Sequence, residues 1–206
     1  MNFLVLGSSA AALIALISIV WWYLHRDPER ADPNYKGFIS PANGVVVDII
    51  ERKPTDKSTK IKKGNNGITA FFDDFPEGKT IIVIMMKPQH IHTQRAPIAG
   101  RIVNVAHRPG LKLNAVFGDY KKATAENEHA MYTIQGNNGR RCKVYAIAGL
   151  LARRVRPIAK IGEQVHQAQR IAKITFGSQV ALVLPKATVH VKIGETVFDG
   201  ITKIAE

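Results

Sequence analysis

The residues most able to do chemistry are a serine and a closely spaced pair of histidines. Ser178 follows Gly177 in Phe176-Gly177-Ser178-Gln179. A serine hydroxyl is a weak nucleophile until a neighbouring base takes its proton. A glycine before it puts no side chain in the way of attack and tolerates a strained turn. Gly-Ser is also a common bulge or turn pair, and taken alone it reads as that. His90 and His92 lie in Lys87-Pro88-Gln89-His90-Ile91-His92. A neutral imidazole can take or return a proton near pH 7, and a buried histidine can equally be a hydrogen-bonded part of the core. With Cys142 as the single cysteine, neither an internal disulfide nor a cysteine metal cluster is expected.

Positioning such groups requires a folded body, and the composition supplies one. Of the 206 residues 46% are hydrophobic, enough for a real core and too many for a disordered chain. Gly44 to Ile50, Thr80 to Met86, Gly100 to Val105, Met131 to Ile134, Cys142 to Ile147, Val180 to Leu184 and Val189 to Val191 are β-branched runs bounded by Gly, Pro or Asn, which predicts short strands. Asn137-Asn138-Gly139 predicts a hairpin turn, and Ala123 to Ala130 a brief helix. Lys53 to Asn66 is basic and poor in apolar residues, a solvated loop or a lipid-contact loop. Lys160-Ile161-Gly162-Glu163-Gln164-Val165 is echoed by Lys192-Ile193-Gly194-Glu195-Thr196-Val197. This spacing is similar to the turns of lipoyl and biotinyl carrier domains, so the expected fold is mainly β: a barrel-sandwich-like domain of short strands with few helices, over residues 26–206.

Phe3 to Leu24 contains no charged residue. As a helix rising ~1.5 Å per residue it is long enough for ~30 Å of hydrocarbon, and Trp21, Trp22 and Tyr23 at its end suit a membrane interface. Residues 1–25 are therefore expected to form one transmembrane helix. A cleaved signal peptide wants a charged start and a shorter apolar core. His25, Arg26 and Arg30 follow the span and no Lys or Arg precedes it, which predicts a single-pass protein with its body on the cytoplasmic side. Asp27-Pro28-Glu29-Arg30 and Pro33 form a polar linker. The 29 Lys and Arg against 16 Asp and Glu give a net charge of +13. Held at an anionic leaflet, each such cation near the surface contributes ~1 kcal/mol. No nucleic-acid-binding motif is present, so nucleic acid is not an expected partner.

Beside these readings stands a resemblance. Arg26-Asp27-Pro28-Glu29-Arg30, Ser40-Pro41-Ala42-Asn43-Gly44, Lys87 to His92 with Arg95-Ala96-Pro97, Glu126-Asn127-Glu128, Ala152-Arg153-Arg154 and Phe176-Gly177-Ser178 come in this order. The series resembles the short, single-domain form of the phosphatidylserine decarboxylase proenzymes, from Arg26 to the C-terminus. The resemblance implies self-cleavage between Gly177 and Ser178, giving a β chain (1–177) and an α chain (178–206) that stay associated. It implies a pyruvoyl group made from Ser178 as the cofactor, with no metal. That ketone would condense with the amine of a serine lipid and accept the electrons released as carbon dioxide leaves. The substrate would be a membrane phospholipid, phosphatidylserine or an archaeal serine lipid, and the product the corresponding ethanolamine lipid.

The resemblance also assigns roles. His92 matches the family's histidine just before Arg-Ala-Pro and is expected in the self-cleavage or decarboxylation chemistry. His90 stands where the family often has Asp. Asn43 stands where the family has an Asp thought to help activate the serine, and an amide is no carboxylate base. His92 suffices, His90 compensates, cleavage is slow, Asn43-Gly44 deamidates, or the chain stays whole. Ala168 and Ala172 replace favoured glycines at turns. Arg95, Arg153 and Arg154 are candidates for the lipid phosphate, because guanidinium forks match its oxygens, or they pair with Glu126 and Glu128. Phe38 and Phe176 contact lipid or fill the core. His25, His107, His129, His166 and His190 match no catalytic position. An uncleaved membrane-tethered carrier or binding module of barrel-sandwich type is the alternative, and a homo-oligomer is possible for either.

Overall fold

The computed structural model describes residues 3–52, 78–114, 116, 118–137, 139–150, 155–174 and 178–206. Helix α1 (Phe3–His25) comes first. Strands β1 (Phe38–Ile39), β2 (Gly44–Arg52), β3 (Lys79–Met86), β4 (Thr93–Arg95) and β5 (Gly100–Arg108) follow, then helix α2 (Tyr120–Glu126). The rest is strand: β6 (His129–Gly136), β7 (Arg141–Ile147), β8 (Val155–Pro157), β9 (Gln164–Val165), β10 (Arg170–Ile174), β11 (Ser178–Pro185), β12 (Thr196–Val197) and β13 (Lys203–Ala205).

The main sheet has eight strands in the order β12-β2-β3-β11-β7-β6-β5-β9, beside a three-stranded sheet β4-β10-β8 and a two-stranded sheet β1-β13. The pairings within them are antiparallel. The expected mainly-β class is met, but the expected barrel is not. The eight-stranded sheet is open, ending on β12 at one edge and β9 at the other.

The sequence echo explains both edges. The turns before β9 and β12 are built alike: Lys160 N–H donates to Glu163 Oε2 and Lys192 N–H to Glu195 Oε2, each at 2.9 Å. Gly162 and Gly194 have φ of +88° and +90°, a region that glycine enters without steric cost. Each turn then bonds its own long strand, Gly162 N–H to Ile102 O and Gly194 N–H to Val46 O. The likeness continues along those strands. A Cβ on Gly44 or on Gly100 would strike the carbonyl oxygen of Met85 or Gln135, and the register slips at Val46/Asp48 in β2 and at Ile102/Asn104 in β5. The carrier-like turns thus recur in two related halves that meet at β11 and β7 and share one open sheet.

Alternation along β11 sets the layers. Val180, Leu182 and Leu184 enter the large core with Ile82, Ile84, Met86, Tyr132, Val144, Ile171 and Ile174, under the smaller sheets. Ala181 and Val183 face the other way, with Ile81, Val83, Tyr145 and Ile147. Each such buried aliphatic side chain contributes ~1.5–3 kcal/mol. With β11 between β3 and β7, the sheet's middle is fixed, and Ser178 begins that strand.

Other expectations resolve locally. Gly139 (φ +81°) closes the hairpin between β6 and β7, with Gly136 N–H to Arg140 O at 2.7 Å. The short helix lies a little earlier than Ala123 to Ala130, because Asp119 caps it through Lys121 and Lys122 N–H and β6 claims the residues from His129. Val189 to Val191 forms no strand, only an isolated bridge from Val189 to Ala205. The loop expected over Lys53 to Asn66 lies outside the described residues.

The transmembrane helix expected over residues 1–25 is not borne out. Among the described residues no helix is long and apolar enough to cross a membrane. The C-terminal part of α1 runs from Ala11 to His25. Along that part Leu13, Ile14, Leu16, Ile17, Trp21 and Trp22 are exposed.

Candidate active site

Ser178 is wholly buried. It pairs with Met86 across β11 and β3, and among the described residues its Oγ has no hydrogen-bond partner. A desolvated hydroxyl without a partner costs ~1–3 kcal/mol, so it calls for an explanation. The next residue, Gln179, turns to the opposite face and is held by α2. Its Oε1 accepts from Thr124 Oγ1 at 2.5 Å, and its Nε2 donates to Tyr120 O at 3.3 Å. Strand β11 is therefore anchored immediately beside the serine.

His92 is buried just before β4, with 5% exposure. Its carbonyl accepts from Ile174 N–H at 2.9 Å and from Gln94 Nε2 at 3.1 Å. Ile174 ends β10, and from there to Ser178 the chain can span at most ~14 Å. Gln94 Nε2 also lies 3.8 Å from the sulfur of Met86, the partner of Ser178. Two independent paths thus bring His92 to the serine's end of the sheet.

Burial dominates the His92 ring and lowers its pKa from 6.5 to about 4, partly offset by a hydrogen bond to the backbone of His90. The ring is neutral at neutral pH and able to accept a proton. His90, held by Lys87 N–H to its Nδ1 at 3.1 Å, is also lowered, by burial and then by Lys87 and Arg26.

These shifts have a stability consequence. A histidine whose folded pKa lies below its unfolded value resists protonation only in the folded state, so acid favours unfolding. Stability is full above pH ~6.5 and falls as the pH drops towards ~4. For His92 the lowering from 6.5 to about 4 corresponds to about 3 kcal/mol. Urea midpoints measured from pH 7 to 4 should fall accordingly, and His92→Gln should flatten that slope. An equally steep slope in the variant would show that His92 is not held neutral by burial.

Asn43 is buried in the loop between β1 and β2. Val45, two residues on, pairs with Met85, and Pro41 O accepts from Arg95 N–H at 2.9 Å. Asn43 therefore sits between the ends of β3 and β4, at the same end of the sheet as Ser178 and His92. Gly177, Phe176, Arg153 and Arg154 lie outside the described residues.

Arg95 corrects an expectation. It is 1% exposed, and its donors are taken by Asp199 Oδ2 (2.6 Å), Ala168 O (3.0 Å), Asp27 Oδ1 (3.0 Å) and Pro28 O (2.7 Å). A guanidinium so engaged presents no fork to a phosphate. Asp199 and Arg170 escaped the sequence reading because isolated charged residues carry no local signal. Thr93 and Gln94, whose Oγ1 and Oε1 are buried without a partner among the described residues, lay inside a noticed motif between more conspicuous residues.

A buried serine and a neutral buried histidine thus meet at one end of the sheet, groups able to do nucleophilic and acid–base chemistry. The model of the phosphatidylserine decarboxylase family matches residues 19–205. Curated relatives carrying the name phosphatidylserine decarboxylase proenzyme include one from Ruegeria pomeroyi, 35% identical over 91% of this chain and 79% of its own. Those from Novosphingobium aromaticivorans (35%; 97% and 81%) and Erythrobacter litoralis (38%; 87% and 70%) are similar. The chain belongs to the phosphatidylserine decarboxylase family and is a decarboxylase, a carboxy-lyase.

Proposed function

We propose that this chain is a self-processing decarboxylase of serine phospholipids, and the observation that carries the proposal is the buried hydroxyl of Ser178, without a hydrogen-bond partner among the described residues, at the same end of the sheet as neutral His92. As the proton of Ser178 Oγ passes to His92, the oxygen attacks the Gly177 carbonyl carbon. The Gly177–Ser178 C–N bond breaks, the proton returns to the released nitrogen, and an ester replaces the amide. Loss of the Cα proton then expels the Gly177 carboxylate and leaves dehydroalanine at position 178. Its imine tautomer takes up one water, releasing ammonia and leaving a pyruvoyl ketone.

The site fits such a group: it lies at a strand start, shielded from bulk water and needing no further space than the serine it replaces. A pyruvoyl ketone supplies an electron sink for decarboxylation of an amino acid. This chain's residues do the rest. Gln94 Oε1, without a partner among the described residues and on the side of Met86, offers an acceptor to a serine headgroup, and His92 holds the proton that must be returned to the product carbon. Phosphate binding falls to Arg153 and Arg154, since Arg95 is occupied. After cleavage residues 178–206 stay in place because β11 is held between β3 and β7. Helix α1, uncharged from Phe3 to Leu24, seats the enzyme at the bilayer with its basic body at the cytoplasmic leaflet.

The intact mass of the purified protein tests the reading. Expected are one fragment ending at Gly177 and a second, blocked at its N-terminus, beginning at position 178. A single full-length chain that decarboxylates phosphatidylserine would overturn the mechanism. A single inactive chain would favour the uncleaved binding module.

A further inference from the structure

The segment that leaves α1 is bolted to the body at successive residues. Arg26 Nη2 donates to Gln89 O at 2.9 Å. The Asp27 carboxylate takes Arg95 Nη2 on one oxygen and Arg170 Nε on the other, both at 3.0 Å. Glu29 adds a second contact to Arg170 at 2.5 Å, and Arg30 reaches buried Asp199 at 3.2 Å. Exposed ion pairs contribute little, but here Arg95 and Asp199 are 1% and 0% exposed and meet at 2.6 Å.

The two arginines held by Asp27 are direct partners across β4 and β10. That pairing is weak in itself: β4 has three residues, and the register slips between Arg170 and Ala172. Short pairings need outside support. At its other end Lys173 pairs with Thr93, and Ile174 N–H bonds His92 O. One end of this ladder thus carries the Asp27 bridge. The other sets His92 against the chain that leads through residues 175–177 to Ser178.

We propose that Asp27 is a positioning residue: by bridging Arg95 and Arg170 it fixes β4 on β10, holds His92 in place for the serine, and makes docking of residues 27–30 a condition of rapid self-cleavage. The proposal rests on the self-processing reading above. It separates two parts of the N-terminus. Residues 1–25 serve location, whereas residues 27–30 serve chemistry through the β4–β10 ladder. Asp27 can be neutralised without leaving Arg95 bare, because Asp199 remains beside it.

The test is a cleavage time course on the full chain with Asp27→Asn, Asp27→Glu and Arg170→Gln, alongside chains lacking residues 1–25 or 1–30. Removing 1–25 should leave the rate unchanged. Removing 1–30, Asp27→Asn or Arg170→Gln should slow it at least ~10-fold, the low end of what a correctly placed base contributes, and Asp27→Glu should restore most of it. A purely structural role is separated by NMR titration of His92 in uncleaved Ser178→Ala chains. The ring should titrate near 4 with Asp27 present and move towards 6.5 with Asp27→Asn, as β4 loosens and water reaches it. Wild-type cleavage rates in folded Asp27→Asn or Arg170→Gln would overturn the proposal, as would slow cleavage with His92 titrating unchanged. If Asp27→Asn does not fold, the partly exposed Arg170 decides the matter. If the wild-type chain never cleaves, the self-processing reading falls and takes this inference with it.

Discussion

Ser178→Ala should remain a single chain of full length and lose decarboxylation by on the order of 10³-fold or more, as expected when a reacting group is removed outright. Few buried nucleophiles allow so clean an experiment. Ser178 Oγ has no hydrogen-bond partner among the described residues, so replacing it by a methyl-sized side chain breaks no bond and removes a desolvated hydroxyl. The uncleaved variant should unfold no earlier than the wild-type precursor, and by burial logic up to ~1 kcal/mol later. Its circular dichroism should be unchanged, because β11 keeps its register with β3 and β7. Cleavage in this variant, measured by intact mass, would place the reacting bond elsewhere. An unfolded variant would show that the hydroxyl is bonded after all.

The strands most legible in the sequence were those buried on both faces. In β3 every residue is buried, and in β11 nearly so; their continuous β-branched runs need no context to be recognised. The seven strands of two to five residues left no such trace. β4, β8 and β10 are read only through one another, and a run as short as Thr93–Arg95 has no periodicity to detect. The repeated Lys-Ile-Gly-Glu turns were visible, and their local geometry followed. What they belonged to was not: a turn fixes a reversal of the chain and leaves open whether the two halves close on themselves or share one sheet. That choice is made by β11 and β7, which pair across the middle.

The site divides in the same way. Ser178, His92 and Asn43 stood out through motif order, and β11, β4 and the loop before β2 bring all three to one end of the sheet. The same motif order singles out Arg95. Its type suggested phosphate, whereas its burial and its partner Asp199, 104 residues away, are properties of the fold. No pattern within a short window could have joined Arg95 to Asp27, Arg170 and Asp199. Charged residues find such partners through topology, and only the assembled sheets show which carboxylate each guanidinium meets.

Asn43→Asp should accelerate self-cleavage by ~10²-fold or more, within the range a well-placed acid–base group supplies. The reason lies in the His92 ring. Burial that lowers its pKa to about 4 keeps it neutral and ready, but equally makes the imidazolium formed during proton transfer expensive. An amide at position 43 can accept a hydrogen bond yet carries no charge to offset that cation. A carboxylate there, itself only 5% exposed at the asparagine position, would raise the His92 pKa towards or above its ordinary value and steady the charged state. The same substitution reports on the geometry independently of rate. Beside His92 the new carboxylate finds a partner, and stability near neutral pH changes little; away from it an unpaired buried charge would cost several kcal/mol. Cleavage time courses of wild type, Asn43→Asp and His92→Ala, with urea unfolding of each in the Ser178→Ala background and peptide mapping of position 43, distinguish these cases. A faster, equally stable Asn43→Asp chain whose gain vanishes with His92→Ala would identify the pair. Equal rates with Asn43 still an amide in the wild type would remove position 43 from the chemistry and leave His92 to act with Ser178 alone.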